Sequence, residues 1–329
     1  MVMQSIGGVI TEQYLELSQE RLLLADTTTG RDLALEALLR SSKDPHRQAQ
    51  AYLILARLDI LDSKLSRAAQ FAKLAADGFG DTQDPVSQAA ALSAFGYAAS
   101  ALKNDALSIE AILRGQTLVD GHGKALARAD CLNYLGLAHM WAGDQVQSHR
   151  ALNDSLWFAL EANRGQFQPL VNICIAEVMA HHRSVHVLQV GQRDLDSLFS
   201  VTRHCDVVRR AGVPAVLNKG TTGAGLTALL EFALAYCCAQ RKDFGQAMLH
   251  IRACRESVTR WSPRTWLKAL AWWARIEVAI AQRQWQQALQ CCWAMKSAAI
   301  AGEQRHLQDV ATRLKLHVEK HLFDSQTEF

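Results

Sequence analysis

A recurring pair of residues constrains this chain more than any other feature of its sequence. A large apolar residue followed by a small one occurs four times inside apolar stretches, and each small residue lies forty positions after the previous one. The four pairs are Leu55-Ala56, Phe95-Gly96, Leu135-Gly136 and Ile175-Ala176. A fixed period of about 20 to 50 residues is the signature of a repeat architecture, in which each unit packs on its neighbours. The sequence therefore predicts an array of repeats rather than one layered domain.

The period is interrupted once and then resumes. Two further matches, Leu234-Ala235 and Arg275-Ile276, are separated by forty-one positions. The interval from Ala176 to Ala235 exceeds one period by roughly nineteen positions, so an insertion lies between the fourth and fifth units. We expect this break, at about 187–225, to be where the chain departs from a uniform array.

The signals for helix ends repeat with the same period. Asp44-Pro45 and Asp84-Pro85 are forty positions apart, and each proline lies eleven positions before the small residue of its unit. Aspartate caps helix N-termini, and proline is tolerated in the first helical turn. In the third unit, Gly143 is suited to a left-handed C-terminal cap. Each unit is therefore predicted to contain two helices that approach closely at the small residue.

Composition agrees with helices and argues against several classes of partner. Hydrophobic residues make up 49% of the chain, and only 5 of 329 residues are proline, which favours helices over a sandwich or barrel. The formal net charge of +3 gives no general attraction to nucleic acid or to an anionic membrane. No apolar run reaches the roughly 18 residues of a membrane span. No nucleic-acid or membrane partner is expected.

The cysteines indicate the compartment. The chain has eight, including the adjacent pairs Cys237-Cys238 and Cys291-Cys292 inside apolar helical stretches. Adjacent cysteines rarely bridge each other, and the start of the chain does not have the pattern of a secretory signal. We therefore expect reduced, buried thiols and a cytoplasmic location.

The repeats resemble those of the tetratricopeptide (TPR) family, whose pattern is W-x2-L-G-x2-Y…A-x3-F. The clearest matches are Leu135-Gly136 followed by Gly143-Asp144, and Lys242-Asp243-Phe244 followed by Ala247. The likeness covers about residues 46–300, and the usual tyrosine is replaced by Asp59, Ala99 or His139. The period of forty positions exceeds the family's usual length of about 34. In this it is similar to the lengthened repeats of bacterial regulators, such as the maltose regulon activator type and the sensory regions preceding GGDEF-type diguanylate cyclase domains. HEAT-like pairs have similar periods and remain an alternative.

The resemblance implies an all-α fold, a right-handed superhelical solenoid of antiparallel helix pairs. The expected organisation is an N-terminal helix pair over 1–45, four repeats over 46–211, a Gly-rich loop over 212–225, two repeats over 226–300, and a capping helix and tail over 301–329. The coarse helical pattern starts the first helix at about residue 12.

In this family the first helix of each unit lines the concave face, which implies candidate partner-binding residues here. Aligned on the small residues, they are Arg57, Tyr97, Asn133, Trp141, Glu177, His181, Tyr236, Trp273 and Glu277, with Leu137 and Phe232 at related positions. We expect about half of them to be exposed. Replacement of Trp141 or Tyr236 is expected to weaken partner capture without unfolding the chain.

Three other clusters are interpreted as structural. His181, His182 and His186 include a one-turn spacing but lack the glutamate of HExxH, so surface histidines at a helix end are expected rather than a metal site. The segment 218–225 has its lysine before the first glycine, unlike a phosphate-binding loop, and Thr221 or Thr222 is expected to cap the next helix. Six tryptophans lie between Trp261 and Trp293, and we expect Trp266, Trp273 and Trp285 to be core.

The sequence contains no recognisable nucleophile–base pair, paired-carboxylate motif or dinucleotide fingerprint, so catalysis is not expected and no cofactor is implied. The predicted function is a non-catalytic protein-interaction scaffold or regulatory input module that binds a peptide or protein segment in its concave groove. The alternative is a small-ligand sensor of a bacterial signalling or transcription regulator, with an enclosed pocket under residues 211–225. Whether the chain is a complete adaptor or the sensory part of a longer regulator stays open.

Overall fold

Helices occupy almost all of the chain that the structure describes. The computed structural model describes residues 2–24, 26–122, 124–163, 167–186, 201–206, 221–261 and 266–327, and no strand occurs among them. The helices are α1 (Val2–Leu24), α2 (Thr27–Arg40), α3 (Pro45–Leu61), α4 (Leu65–Asp81), α5 (Pro85–Ala101), α6 (Asp105–Asp120), α7 (Ala125–Ala142), α8 (Gln145–Glu161), α9 (Phe167–His186), α10 (Thr221–Gln240), α11 (Phe244–Trp261), α12 (Leu267–Ala281), α13 (Trp285–Ala301) and α14 (Arg305–Thr327). Residues 201–206 are also helical.

The chain divides into two compact units, Met1–Pro169 and Leu170–Phe329. In unit 1 the close pairs are α1 with α2, α3 with α4, α5 with α6, and α7 with α8; in unit 2 they are α10 with α11 and α12 with α13, and α14 packs on α13. The helices of these pairs are joined by short turns, so paired helices run antiparallel. We call α3, α5, α7, α9, α10 and α12 the first helices of the repeats. The predicted all-α fold of antiparallel helix pairs is confirmed.

The recurring small residues lie where the two helices of a pair come closest. A Cβ atom added to Gly96 would lie 2.4 Å from Cγ1 of Ile112, and one added to Gly136 would lie 2.5 Å from Cγ of Leu152. A serine twelve positions later closes each contact: Ser108 Oγ donates to the Gly96 carbonyl at 2.7 Å. The Ser148 hydroxyl does the same for Gly136 at 2.8 Å. The period of the sequence is therefore the period of helix–helix contact.

The helix ends follow the predicted signals. The carboxylates of Asp44 and Asp84 accept hydrogen bonds from the backbone N–H groups of Arg47 and Ser87, and a proline follows each cap. Gly143 ends α7 in the left-handed conformation, with φ of 97°. The equivalent turns between the two helices of other repeats place Ser63, Lys103, Lys242 and Arg283 at φ of 58–63°. The backbone therefore repeats even where the residue type does not.

Asp59 occupies the position of the tyrosine in the TPR pattern and is fully buried in unit 1. Its carboxylate is held between two arginines, with Arg31 Nη1 at 2.5 Å and Arg67 Nε at 2.5 Å. A buried carboxylate needs such partners because desolvation of an unpaired charge is costly. Hydrogen bonding to Asp59 also raises the pKa of Arg67. The departure from the TPR pattern is thus compensated by ion pairs inside the same unit.

Two predicted boundaries are wrong. The first helix begins at Val2 rather than near residue 12, because the helix continues through the Gly7-Gly8 pair, where the sequence shows no apolar period. The predicted Gly-rich loop extends to residue 225, but α10 begins at Thr221, so the last five residues of that loop are helical. The remainder of that segment, and most of the insertion at 187–220, lie outside the described residues.

All eight cysteines are free thiols; seven are buried, and Cys238 is partly exposed. The expected burial of the thiols is therefore found at every position but Cys238. Within the described ranges, none of the helices combines the length and the apolar composition of a membrane span.

Candidate functional site

In unit 1 the first helices carry three partly exposed large side chains at the predicted groove positions. Arg57 lies on α3, Tyr97 on α5 and Trp141 on α7, and each keeps part of its surface accessible. The rings of Tyr97 and Tyr134 meet edge to face, with centroids 5.6 Å apart. Asn133, also on α7, is only 6% exposed. An arginine and two large aromatic residues are the side chains that most often anchor protein partners.

In unit 2 the predicted residues converge on one buried cluster, which we call the polar-aromatic cluster. It joins three first helices and contains His181 and His182 of α9, Phe232, Tyr236 and Gln240 of α10, and Trp273 and Glu277 of α12. All seven side chains are buried, and Phe232, Tyr236 and Trp273 are fully so. The cluster is therefore a packed core that holds α9, α10 and α12 together.

Glu277 is the acceptor at the centre of this cluster. Trp273 Nε1 donates to its Oε1 at 3.0 Å, and Gln240 Nε2 donates to its Oε2 at 2.9 Å. His182 Nδ1 lies 3.4 Å from the same Oε1 atom. A carboxylate can be buried at 2% exposure in this way because both of its oxygens are engaged.

Aromatic contacts complete the packing around Glu277. The His182 ring meets Trp273 edge to face with centroids 4.7 Å apart, and Phe232 lies 5.3 Å from Trp273. His181 Nδ1 forms a 3.0 Å hydrogen bond with the Tyr236 hydroxyl. Edge-to-face geometry of this kind adds to the burial of the rings.

The expectation of surface histidines at the end of α9 is wrong for His181 and His182, which are 3% and 1% exposed. The side chain of His186 lies outside the described residues. α9 continues to residue 186, so the two histidines lie in its last turns but face the neighbouring first helices rather than solvent. The described residues contain no group of three or more side chains that could hold a metal ion.

Tyr236 is also corrected in one respect. Because its side chain is fully buried and bonded to His181, replacing it changes the core as well as any groove contact. A substitution of Tyr236 therefore cannot separate a loss of partner binding from a loss of core packing. Of the nine predicted site residues, Arg57, Tyr97, Trp141 and Glu177 keep partial exposure. The partner-binding role of all nine stays a prediction.

Glu177 of α9 pairs with a residue from the insertion. Its Oε2 lies 3.5 Å from Nδ1 of His204 in the helical segment 201–206. Hydrogen bonding to Glu177 raises the pKa of His204. A raised histidine pKa stabilises the folded chain at acidic pH, and that contribution is lost as the pH rises through the folded value. This pair links the segment 201–206 to α9, one of the first helices.

The tryptophans divide between core and surface. Trp266 and Trp273 are buried as predicted, whereas Trp285 is only partly buried and stacks on His321 with centroids 4.6 Å apart. Trp293 is 54% exposed, and Lys315 lies over its ring. An open groove of about 590 Å³ beside Trp285 is lined by Arg283, four glutamines and Leu322. The enclosed pocket predicted under residues 211–225 for a small-ligand sensor is a different place, and most of it lies outside the described residues.

Sequence reasoning placed His181, Tyr236, Trp273 and Glu277 on one face but missed His182 and Gln240. The spacing of residues within the helices is the signal that could have identified these two residues. Gln240 lies one turn after Tyr236, and His182 lies next to a predicted residue near the end of α9, where adjacent positions contact different neighbours.

Solved structures with a similar helical fold exist. The chain is similar to a tetratricopeptide repeat protein from Parabacteroides merdae, with a TM-score of 0.52 and 13% identity over 94% of this chain and 98% of that one. It is also similar to the Rap conjugation gene regulator of the plasmid pLS20, solved in complex with the Phr* peptide, with a TM-score of 0.54 and 10% identity over 94% of this chain and 96% of that one. No protein-family model and no curated protein sequence matches it. At these identities the likeness concerns the fold alone: the chain has a TPR-like helical-repeat fold.

Proposed function

We propose that this chain is a non-catalytic regulatory or scaffold module that captures a peptide or extended protein segment on its first helices. The observation that carries the proposal is the set of partly exposed side chains in unit 1, Arg57, Tyr97 and Trp141, on the first helices of three successive repeats. Tyrosine, tryptophan and arginine dominate binding energy at protein interfaces. The guanidinium of Arg57 suits a carboxylate or a backbone carbonyl of the bound segment.

The two units contribute differently under this proposal. Unit 1 presents the accessible aromatic and cationic side chains that would contact the partner. In unit 2, the buried polar-aromatic cluster fixes three first helices through Glu277. Rigid first helices reduce the entropy lost when a partner is bound, which favours affinity.

The likeness to a regulator solved with a peptide supports a partner of the same kind. At 10% identity no residue of that regulator's site carries over to this chain. We further propose that the partner is a protein or peptide rather than nucleic acid, in line with the net charge of +3. Eight free thiols favour the cytoplasm as the compartment. Membership of a bacterial regulator group with lengthened repeats is part of the same proposal.

Selection from a displayed random-peptide library on the immobilised chain tests this function. Peptides that the chain selects should bind the Trp141→Ala variant at least about 30-fold more weakly, because losing an anchor of this kind costs about 2 kcal/mol or more. The matched control is Trp157→Ala, since Trp157 is 61% exposed on α8, a second helix of the same repeat. We expect its affinity to stay within about twofold of the parent chain. Equal losses in both variants, or a loss only in Trp157→Ala, would contradict the proposal.

A further inference from the structure

Helix α14 has the register of a first helix. The turns before α5, α9 and α14 each hold one residue in the left-handed region, with φ of 49–56°; these residues are Gln83, Asn163 and Glu303. Gly96 and Ala176 each lie thirteen positions after such a residue, and Leu316 lies thirteen positions after Glu303. Leu316 therefore occupies the small-residue position of a further repeat.

One face of α14 is packed as in the other repeats. α14 packs on α13 as α5 packs on α4. Ala311, Leu314 and Val318 are buried on this face of α14. The residues at the same positions of α5 are also buried; they are Ala91, Ala94 and Ala98. The two helices therefore present the same face to the helix that precedes them.

The opposite face of α5 is covered by α6. A Cβ atom added to Gly115 of α6 would lie 3.5 Å from Cβ of Leu92, and Ile112 of α6 lies against Gly96. Leu92, Gly96 and Ser100 are all buried by this contact. An antiparallel second helix thus closes the repeat on this side.

The same face of α14, which we call the open face, consists of Thr312, Leu316, Glu319, Lys320 and Phe323. Leu316 is 60% exposed, and Phe323, two turns later, is 67% exposed. α14 continues to Thr327, past the point at which the equivalent α5 ends, so the residues after Leu316 do not turn back to cover it. Large apolar side chains aligned on one exposed helix face are typical of a surface that binds another helix.

We propose that the open face is an interface between two copies of this chain, in which α14 of the second copy takes the place of the second helix. A two-fold axis across the face makes the two helices antiparallel, as the two helices of a repeat are. With the axis between positions 319 and 320, Leu316 of each copy lies opposite Phe323 of the other. Both side chains then leave water, and each contact is made twice.

The charges of the open face favour a second copy. In the antiparallel register, Lys320 of each copy lies beside Glu319 of the other, so two ion pairs form across the axis. Glu319 also bonds Lys315 of its own helix through Oε1 at 3.2 Å, and a carboxylate accepts several donors. The face is therefore complementary to itself in its apolar side chains and in its charges.

Sedimentation velocity of the full chain at about 5 to 300 μM tests the interface, because small interfaces associate in this range. We expect a monomer–dimer equilibrium. Leu316→Glu should weaken dimerisation at least about 100-fold, since both copies lose a buried leucine. The matched control is Leu249→Glu, because Leu249 is a leucine of the same unit that is 54% exposed on α11. This variant should dimerise like the parent chain.

Reversal of single charges tests the antiparallel register. Lys320→Glu alone, or Glu319→Lys alone, places like charges opposite each other twice and should weaken dimerisation about tenfold. A mixture of the two variants should form a heterodimer with about the parent affinity, because each contact again joins a lysine to a glutamate. A folding defect in either variant could not produce this recovery.

Three results would overturn the proposal. A parent chain that stays monomeric over the whole range would leave the open face to a helix of a different protein. Dimerisation of Leu316→Glu at the parent affinity would show that the chains associate elsewhere. A mixture of Lys320→Glu and Glu319→Lys that binds no better than either variant would contradict the antiparallel register. None of these results bears on peptide capture by unit 1, which the selection with Trp141→Ala tests separately.

Discussion

Replacing Trp273 with alanine is expected to lower the free energy of unfolding of unit 2 by about 3–5 kcal/mol. Trp273 is fully buried and lies against His182, Phe232 and Tyr236. Its loss leaves a cavity between three first helices and removes the indole N–H that Glu277 accepts. A buried carboxylate that loses a donor adds its own penalty to that of the cavity.

Denaturant titration followed by circular dichroism measures this effect. The matched control is Trp293→Ala, because Trp293 is a tryptophan of the same unit that is 54% exposed on α13. Its loss removes the contact with Lys315 and should cost no more than about 1 kcal/mol. Equal destabilisation by the two substitutions would mean that the polar-aromatic cluster does not organise unit 2.

A valine at position 96 is expected to destabilise unit 1 by roughly 3 kcal/mol, the upper part of the range for overpacking a closely packed contact. The first carbon of the side chain would lie 2.4 Å from Cγ1 of Ile112 and 3.0 Å from the Ser108 carbonyl oxygen. Ile112 is fully buried, so it has little space into which to move. The helices α5 and α6 would have to separate, which also breaks the hydrogen bond from Ser108 to the Gly96 carbonyl.

Gly121→Val is the control for this substitution. Gly121 ends α6 in a right-handed helical conformation, and a Cβ atom there would meet nothing within 4 Å. The same titration should place this variant within about 1 kcal/mol of the parent chain. A Gly96→Val chain as stable as the Gly121→Val chain would show that the small residue of the repeat is not needed for helix contact.

The repeat could be read from the sequence because its causes are local. Close approach at Gly96 and Gly136 requires a residue without a side chain, and capping at Asp44 and Asp84 requires a short acceptor. Each requirement leaves a residue type at a fixed position, so the period of the contacts appears as a period in the residues. The helix pairs and most of their ends follow from it.

The sites are less predictable because they depend on contacts between distant residues. The burial of His181 and His182 is decided by α10 and α12, which supply Tyr236, Trp273 and Glu277 from much later in the sequence. The alignment of the repeats could place these residues on first helices, but it could not decide whether their side chains face solvent or each other.

The sixth repeat, formed by α12 and α13, illustrates the same limit. It has Ile276 at the small position, and the buried Ala288, twelve positions later, provides the small side chain instead. Close approach of two helices needs a small residue on either one of them, so the residue type at a single position does not report the contact.

The contact of Glu231 with His250 was missed for a related reason. A glutamate and a histidine separated by nineteen positions match no linear motif, and their contact becomes visible only when the pairing of Ala235 with Ala247 is known. Polar residues at positions on the first helices that face the second helix, such as Asp59 and Glu231, are the signal that could have been used. In both units these carboxylates bind a cationic side chain of the second helix of the pair, Arg67 or His250.

Site-specific photocrosslinking tests the central claim, that the first helices capture a peptide or protein segment. A benzophenone side chain is placed at position 97 or 141 on the first helices, or at position 157 on a second helix, and each chain is irradiated in its native cells. The proposal predicts crosslinks to the same partner segment from positions 97 and 141 and none from 157, with mass spectrometry identifying the joined residues. Crosslinks that arise only from position 157, or equally from all three positions, would contradict it.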